Sequence, residues 1–154
     1  MKLSALSVAA ILAGTVLVQA QDADEVPAVV EARHGIMYNF SYSLSTLGDM
    51  AKGEVEYDAE LAQAAADRLV TMSDINQTGL WPEGTSSEEI EASRALPAIW
   101  ENMDDFLSGF GDLHEASMAM AEVAGDGQSA LGAQMQGIGR SCGGCHEDYR
   151  MSNN

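Results

Sequence analysis

The chain has 154 residues, 46% of them hydrophobic, the size of one ordinary domain with its own core; a multidomain enzyme and a disordered segment are both excluded. Its 24 Asp and Glu against 7 Lys and Arg give a formal charge of -17, which excludes nucleic-acid binding, because phosphate contacts need clustered cations. Two cysteines are too few for a disulfide scaffold, and a partner protein, where there is one, should offer a basic surface.

The first twenty residues read as a sorting signal. Lys2 supplies a positive start, Leu3 to Val18 is almost wholly small and apolar, and Val18-Gln19-Ala20 forms a small-residue cleavage site before the polar Gln21-Asp22-Ala23-Asp24. A retained membrane anchor is the competing reading, but Ser4, Ser7, Gly14, Thr15 and Gln19 interrupt a stretch already marginal in length for a span. Residues 1–20 are therefore expected to be a cleaved signal peptide directing the chain to the periplasm, and residues 21–154 a single domain that does not span a membrane. Cleavage leaves 134 residues and removes Lys2, so the mature charge becomes -18.

Four amphipathic segments follow. In the first, Val30, Arg33, Met37, Phe40, Leu44, Leu47 and Ala51 recur in steps of three and four, the seam of a bundle helix, with Arg33 its one charge. A second helix is expected from an Asp58 cap, presenting Leu61, Ala65, Leu69 and Met72 and fading by Asn76-Gln77-Thr78-Gly79. The third runs from about Pro97 with Ile99, Met103, Phe106, Phe110, Leu113, Ala116, Met120 and Ala124. Ala124-Gly125-Asp126-Gly127 stops it and offers Asp126 as the next cap. The fourth carries Leu131, Met135, Ile138, Cys142, Cys145 and Tyr149, which turns both cysteines inward. The alternating runs that define strands are missing, so the chain is expected to be all-α. The long link from Thr78 to Leu96 contains Trp81-Pro82 and a capped turn at Ser86-Ser87-Glu88-Glu89, and an antiparallel up-down-up-down four-helix bundle is the simplest closure.

The chemistry is concentrated in Ser141-Cys142-Gly143-Gly144-Cys145-His146. Cys-x-x-Cys-His in an exported chain is the attachment signature of haem c: two thiols at helical spacing reach the two vinyl groups, and the adjacent neutral imidazole reaches the iron. A redox dithiol usually sits at a helix start after a strand, whereas this pair lies near a helix end in a chain without strands. Zinc would need two further ligands, and His34 and His114 lie on other segments with no cysteine pair.

Further features accompany the motif: Arg33 with Met37 one turn later, Lys52-Gly53-Glu54 followed by Tyr57-Asp58, Pro97-x-x-Trp100, Ala124-Gly125-Asp126, and His146-Glu147-Asp148-Tyr149-Arg150. In this order and spacing the chain resembles the cytochrome c' family over residues 25 to 151. That resemblance implies an exported monohaem four-helix bundle with one covalent haem c. It implies that Cys142 and Cys145 are the thioether anchors, that His146 is the proximal axial ligand, and that Arg33 lies near the haem propionates. A charge on the seam then has a reason, since a buried cation needs a paired anion. Arg150 matches an arginine one turn after the ligand, near the proximal face; on residue type alone it is an ordinary cation at a helix C-terminus.

The position opposite His146 is left open. The up-and-down topology brings Met37, Met72 and Met103 to the haem end and keeps Met50, Met120 and Met135 away. In typical members of the resembling family the Met37 position holds a bulky residue that leaves the iron five-coordinate, and in low-spin relatives a methionine there is the sixth ligand. With Met37 bound, the protein is an electron carrier; with Met37 unbound, the apolar pocket admits small gases such as NO or CO. Electron transfer is the reading preferred. An enzyme is not expected, because His34, the one candidate for distal acid-base work, sits one position off the seam, and His114 reads as surface. Tyr38, Tyr42 and Ala-rich outer positions allow a homodimer without requiring it, and Trp81 reads as exposed.

Overall fold

The computed structural model describes residues 26–152, so the expected signal peptide lies outside the described residues. Five helices follow in order: α1 (Ala28–Lys52), α2 (Ala59–Ser73), α3 (Ala98–Glu101), α4 (Met103–Val123) and α5 (Gln128–Tyr149). Among the described residues there is no strand, only an isolated antiparallel bridge between Ala95 and Arg150. Of the long helices, α1 packs on α2 and α5, and α4 packs on the same two, while the diagonal pairs do not meet. Each helix thus lies beside its neighbours in sequence, the arrangement of an up-down-up-down four-helix bundle.

Local chemistry sets most of the boundaries. The carboxylate of Asp58 accepts from the N–H of Leu61 at 3.0 Å and starts α2 as a side-chain cap. Gly53 ends α1 at φ 74, a left-handed conformation that lets its N–H reach the Met50 carbonyl at 3.0 Å and that of Glu54 the Asp49 carbonyl at 2.9 Å. Two expectations fail here. Asp126 does not cap α5; its N–H closes the last turn of α4 onto Val123, and Gly127, at φ 110, turns the chain into α5 with no side-chain cap. The single helix expected from Pro97 is broken at Asn102, whose φ of -134 and ψ of 46 leave the helical region. The short α3 frees the Trp100 indole to donate to the Trp81 carbonyl at 3.1 Å, tying the start of α4 to the long link.

The core is apolar and continuous through all four long helices, with Leu47, Met50, Leu69, Ile99, Met120, Leu131 and Ile138 fully enclosed. Val30, Arg33, Phe40 and Leu47 on α1 and Ala65 and Leu69 on α2 are buried on the expected seams, which shift at other positions. On α1 the core position of the third turn belongs to Ile36, and Met37 beside it is 36% exposed. On α2 the buried stripe is Ala62, Ala65, Ala66, Leu69 and Ser73, and Leu61 faces solvent at 46%. Small residues here let α2 approach its neighbours closely, so the larger Leu61 is the one left outside. On α4 the expected stripe holds, with Phe106, Phe110, Leu113 and Met120 buried and Met103 and Ala116 half-buried.

The long link closes one end of the bundle. Ser86 donates from N–H and Oγ to Glu89 Oε2, at 3.2 and 2.9 Å, forming the capped turn expected there. Further on, the Leu96 N–H donates to the Tyr149 carbonyl at 3.0 Å and the Met151 N–H to the Arg94 carbonyl at 2.9 Å, so the link holds the last turn of α5 in place.

Candidate functional site

Cys142 and Cys145 lie three residues apart on one face near the end of α5, both half-buried against the core and neither in a disulfide. A Cβ on Gly109 of α4 would stand 3.6 Å from Cys145 Sγ, so the α4 backbone runs directly beside this thiol. Burial pushes both thiols up, and for Cys145 the charges of Cys142, Asp148 and Asp105 add to it. They are neutral thiols, unlike the depressed thiolate of a redox dithiol. His146 is half-buried, and burial, aided by the nearby Arg150 cation, pulls its imidazole below the usual histidine range. A neutral ring keeps a nitrogen lone pair free for a metal.

The end of this helix is held by side chains as well as by the link. The Tyr149 hydroxyl donates to Asp105 Oδ2 at 2.6 Å, and that bond, ahead of burial and charge, pushes the phenol up to about 12. Its ring meets Phe106 edge-on at 5.3 Å, and Phe106 meets Trp81 in the same way at 4.5 Å.

What faces these residues across the bundle follows from two contacts between α1 and α5. Gln128 Nε2 donates to the Ala51 carbonyl at 3.3 Å, and a Cβ on Gly48 would lie 3.6 Å from Met135 Cε. Gly48 and Ala51 therefore mark the stripe of α1 that faces α5, and Gln128 and Met135 the stripe of α5 that faces α1. At helical spacing the first stripe continues through Leu44 to Met37, and the second to Cys142 and His146. Because the helices run antiparallel, Met37 comes level with the Cys142 to His146 segment. Leu44 is half-buried and Gly48 buried on the stripe where Met37 is 36% exposed, so the groove between the two helices opens toward this end. Met50 and Met120 are fully enclosed in the core, while Met72 and Met103 are half-buried.

Arg33 is 5% exposed and lies on the core face of α1. Its two terminal nitrogens donate to Thr85, Nη1 to the carbonyl at 3.3 Å and Nη2 to Oγ1, and its guanidinium stacks 4.5 Å from the Trp81 ring centroid. The Nε–H is buried with no hydrogen-bond partner, and no carboxylate among the described residues forms an ion pair with it. Burial pulls its pKa down, the direction expected of a cation that lacks an anion.

Among the other residues, Trp81 and His114 depart from expectation. Trp81 is half-buried, with its indole N–H donating to Gln77 Oε1 at 3.1 Å. His114 is not a surface residue; its Nδ1 lies 3.1 Å from Ser73 Oγ, a polar tie between α4 and α2. His34 is half-buried, Tyr38 and Tyr42 are exposed at 74% and 62%, and Arg150 is exposed, its backbone bridged to Ala95. Sequence reading missed Thr85 and the Asp105 to Tyr149 bond. No spacing signals Thr85, which sits in irregular chain, whereas the tyrosine's place on the core stripe does call for a polar partner.

The donor set fits a covalent haem. Two neutral thiols and a neutral imidazole share the end of one helix, and the orphaned Nε–H of a buried arginine asks for an anion such as a propionate. Bundle and site together define a four-helix protein of the c-type cytochrome class. Residues 28–150 match the family described as cytochrome C'. The chain is 43% identical over 131 residues to cytochrome c-554 of Cereibacter sphaeroides, covering 85% of this chain and 98% of that protein. It is 37% identical over 123 residues to a cytochrome c' of the same species, covering 80% and 83%. A solved cytochrome c' from Rhodobacter sphaeroides superposes with a TM-score of 0.78 at 36% identity, over 82% of this chain and 97% of that one. This chain belongs to the cytochrome c' family, whose members carry one covalently attached haem c. Among the described residues no helix is long and apolar enough to cross a membrane.

Proposed function

We propose that the protein is an exported, periplasmic electron carrier in which Cys142 and Cys145 anchor the haem, His146 binds its iron and Met37 takes the opposite axial position. The observation that carries this reading is the register of α1 against α5, which sets Met37 level with His146 on facing stripes. Bound in this way, the haem supplies a one-electron couple whose potential a thioether ligand raises. The chain's own residues do the rest. Gly109 lets α4 close on Cys145, the tie from Tyr149 to Asp105 fixes the last turn of α5, and the neutral His146 offers its lone pair. Arg33 holds a positive charge ready for a propionate, and burial, aided by the Arg150 cation, favours the neutral imidazole.

A second reading, an open five-coordinate site that binds NO or CO, is favoured by one observation: Met37 is 36% exposed and stands outside the packed core. Visible absorption spectra of the purified protein, oxidised, reduced, and reduced under CO, separate the two. Sharp low-spin bands indifferent to CO are expected, and Met37→Leu should convert them to high-spin bands that shift with CO. Wild-type bands that are high-spin and CO-sensitive would move the assignment to gas binding, and a colourless protein from a host able to attach haem c would end both readings.

A further inference from the structure

We infer that Thr85, in the link between α2 and α3, is a positioning residue that sets the haem's redox equilibrium through Arg33; this rests on the haem reading above. A long arginine side chain has rotamer freedom to lose, and one that works as a fixed charge must be held. Thr85 does so with two groups at once, its carbonyl accepting from Nη1 and its Oγ1 from Nη2. The residue is itself fixed, since its hydroxyl donates to the Pro82 carbonyl at 2.7 Å and its carbonyl accepts a second bond from Ser93 Oγ at 2.9 Å. Thr85, Ser93 and Arg33 are all more than nine-tenths buried, and Trp81 closes one flat side of the guanidinium.

The pattern of donors used and spared gives the cradle its direction. Thr85 engages the terminal end of the guanidinium, and the Nε–H on its flank is left buried without a partner. A planar fork presented side-on is the geometry that takes a carboxylate. Held there, the positive charge favours the reduced, less positive haem; allowed to swing away, it does so less.

The test is a redox titration of the holoprotein with a double-mutant cycle. Thr85→Val keeps shape and carbonyl but loses Oγ1, and it should shift the one-electron equilibrium toward the oxidised form by roughly threefold or more. Thr85→Ser should restore the wild-type value. Arg33→Met should shift it further in the same direction, and Thr85→Val added to Arg33→Met should change nothing, because its effect passes through the arginine. Arg33→Lys retains charge without the fork and should fall between wild type and Arg33→Met, a readout that stands even where Thr85→Val fails to take up haem. A Thr85→Val protein with the wild-type equilibrium, an additive double mutant, or an Arg33→Lys protein identical to wild type would each overturn the proposal while leaving the haem reading intact. A wild-type protein without covalent haem would overturn both.

Discussion

Tyr149 stands between the attachment segment and the rest of the bundle, and its hydroxyl has one role, donation to Asp105. That bond holds the phenol protonated to about 12, well above the ordinary tyrosine value near 10. A folded-state pKa raised above the unfolded one favours folding while the group is protonated. The contribution is therefore complete below pH 10 and is lost as pH rises from 10 toward 12. Urea unfolding across that window should show stability falling in wild type and a flatter limb in Tyr149→Phe, which has no proton to lose. Identical limbs would mean that the bond does not act in solution. At this scale Cys142, Cys145 and His146 stand out in the sequence as a motif, because Cys-x-x-Cys-His specifies residue type and spacing together. It shows Arg33 through its oddity as a charge on an apolar stripe. Thr85 is invisible, since the threonine's partner lies 52 residues away and nothing local marks it.

At the scale of elements, the two acidic residues that look alike as caps do different things. Asp58 receives the Leu61 N–H, whereas Asp126 only closes the turn after α4. Asp58→Ala should cost about 1 kcal/mol in chemical denaturation and Asp126→Ala close to nothing. Gly53 is a third such position, for at φ 74 an L side chain is strained, and a Cβ would come 3.0 Å from Gln128 Nε2. Gly53→Ala should lower stability by about 1–2 kcal/mol. Losses well below that would show that the α1 end relaxes to another cap. The number and order of the long helices can be read from apolar steps of three and four, because that period is a property of the helix itself. Phase is harder. Ile36 and Met37 are both apolar, as are Leu61 and Ala62, and composition alone does not say which of two adjacent stripes faces the core; close helix approach selects the alanine on α2. The break at Asn102 is equally hidden, since the bond that accompanies it, from Trp100 to the Trp81 carbonyl, joins residues 19 apart in the chain.

For the whole molecule the dominant property is charge. With 7 cations against 24 carboxylates, pairing such as that of Lys52 with Asp49 and Glu54, at 4.0 and 3.7 Å, can neutralise only a minor part of it. Exposed pairs of this kind contribute little to stability, so the field they leave at long range matters more than the contacts. Exposed Asp104 and Asp112 on α4, beside the contacts of that helix with Tyr149 and Ser141, and Glu147 and Asp148 on α5 outnumber the exposed cations Arg140 and Arg150 that flank the same segment. On the electron-carrier reading proposed above, a partner approaching that end should meet negative potential first. Two small one-electron donors, one cationic and one anionic, would report this field without any partner being known. As ionic strength rises from about 0.01 to 0.15 M the Debye length falls from roughly 30 to 8 Å. Reduction of the haem by the cationic donor should slow by about tenfold over that range, and reduction by the anionic donor should speed up. Opposite slopes would show that the charge steers encounters at the electron-transfer edge. Flat slopes for both would place that edge outside the field, and the expectation of a basic docking surface would fall with it.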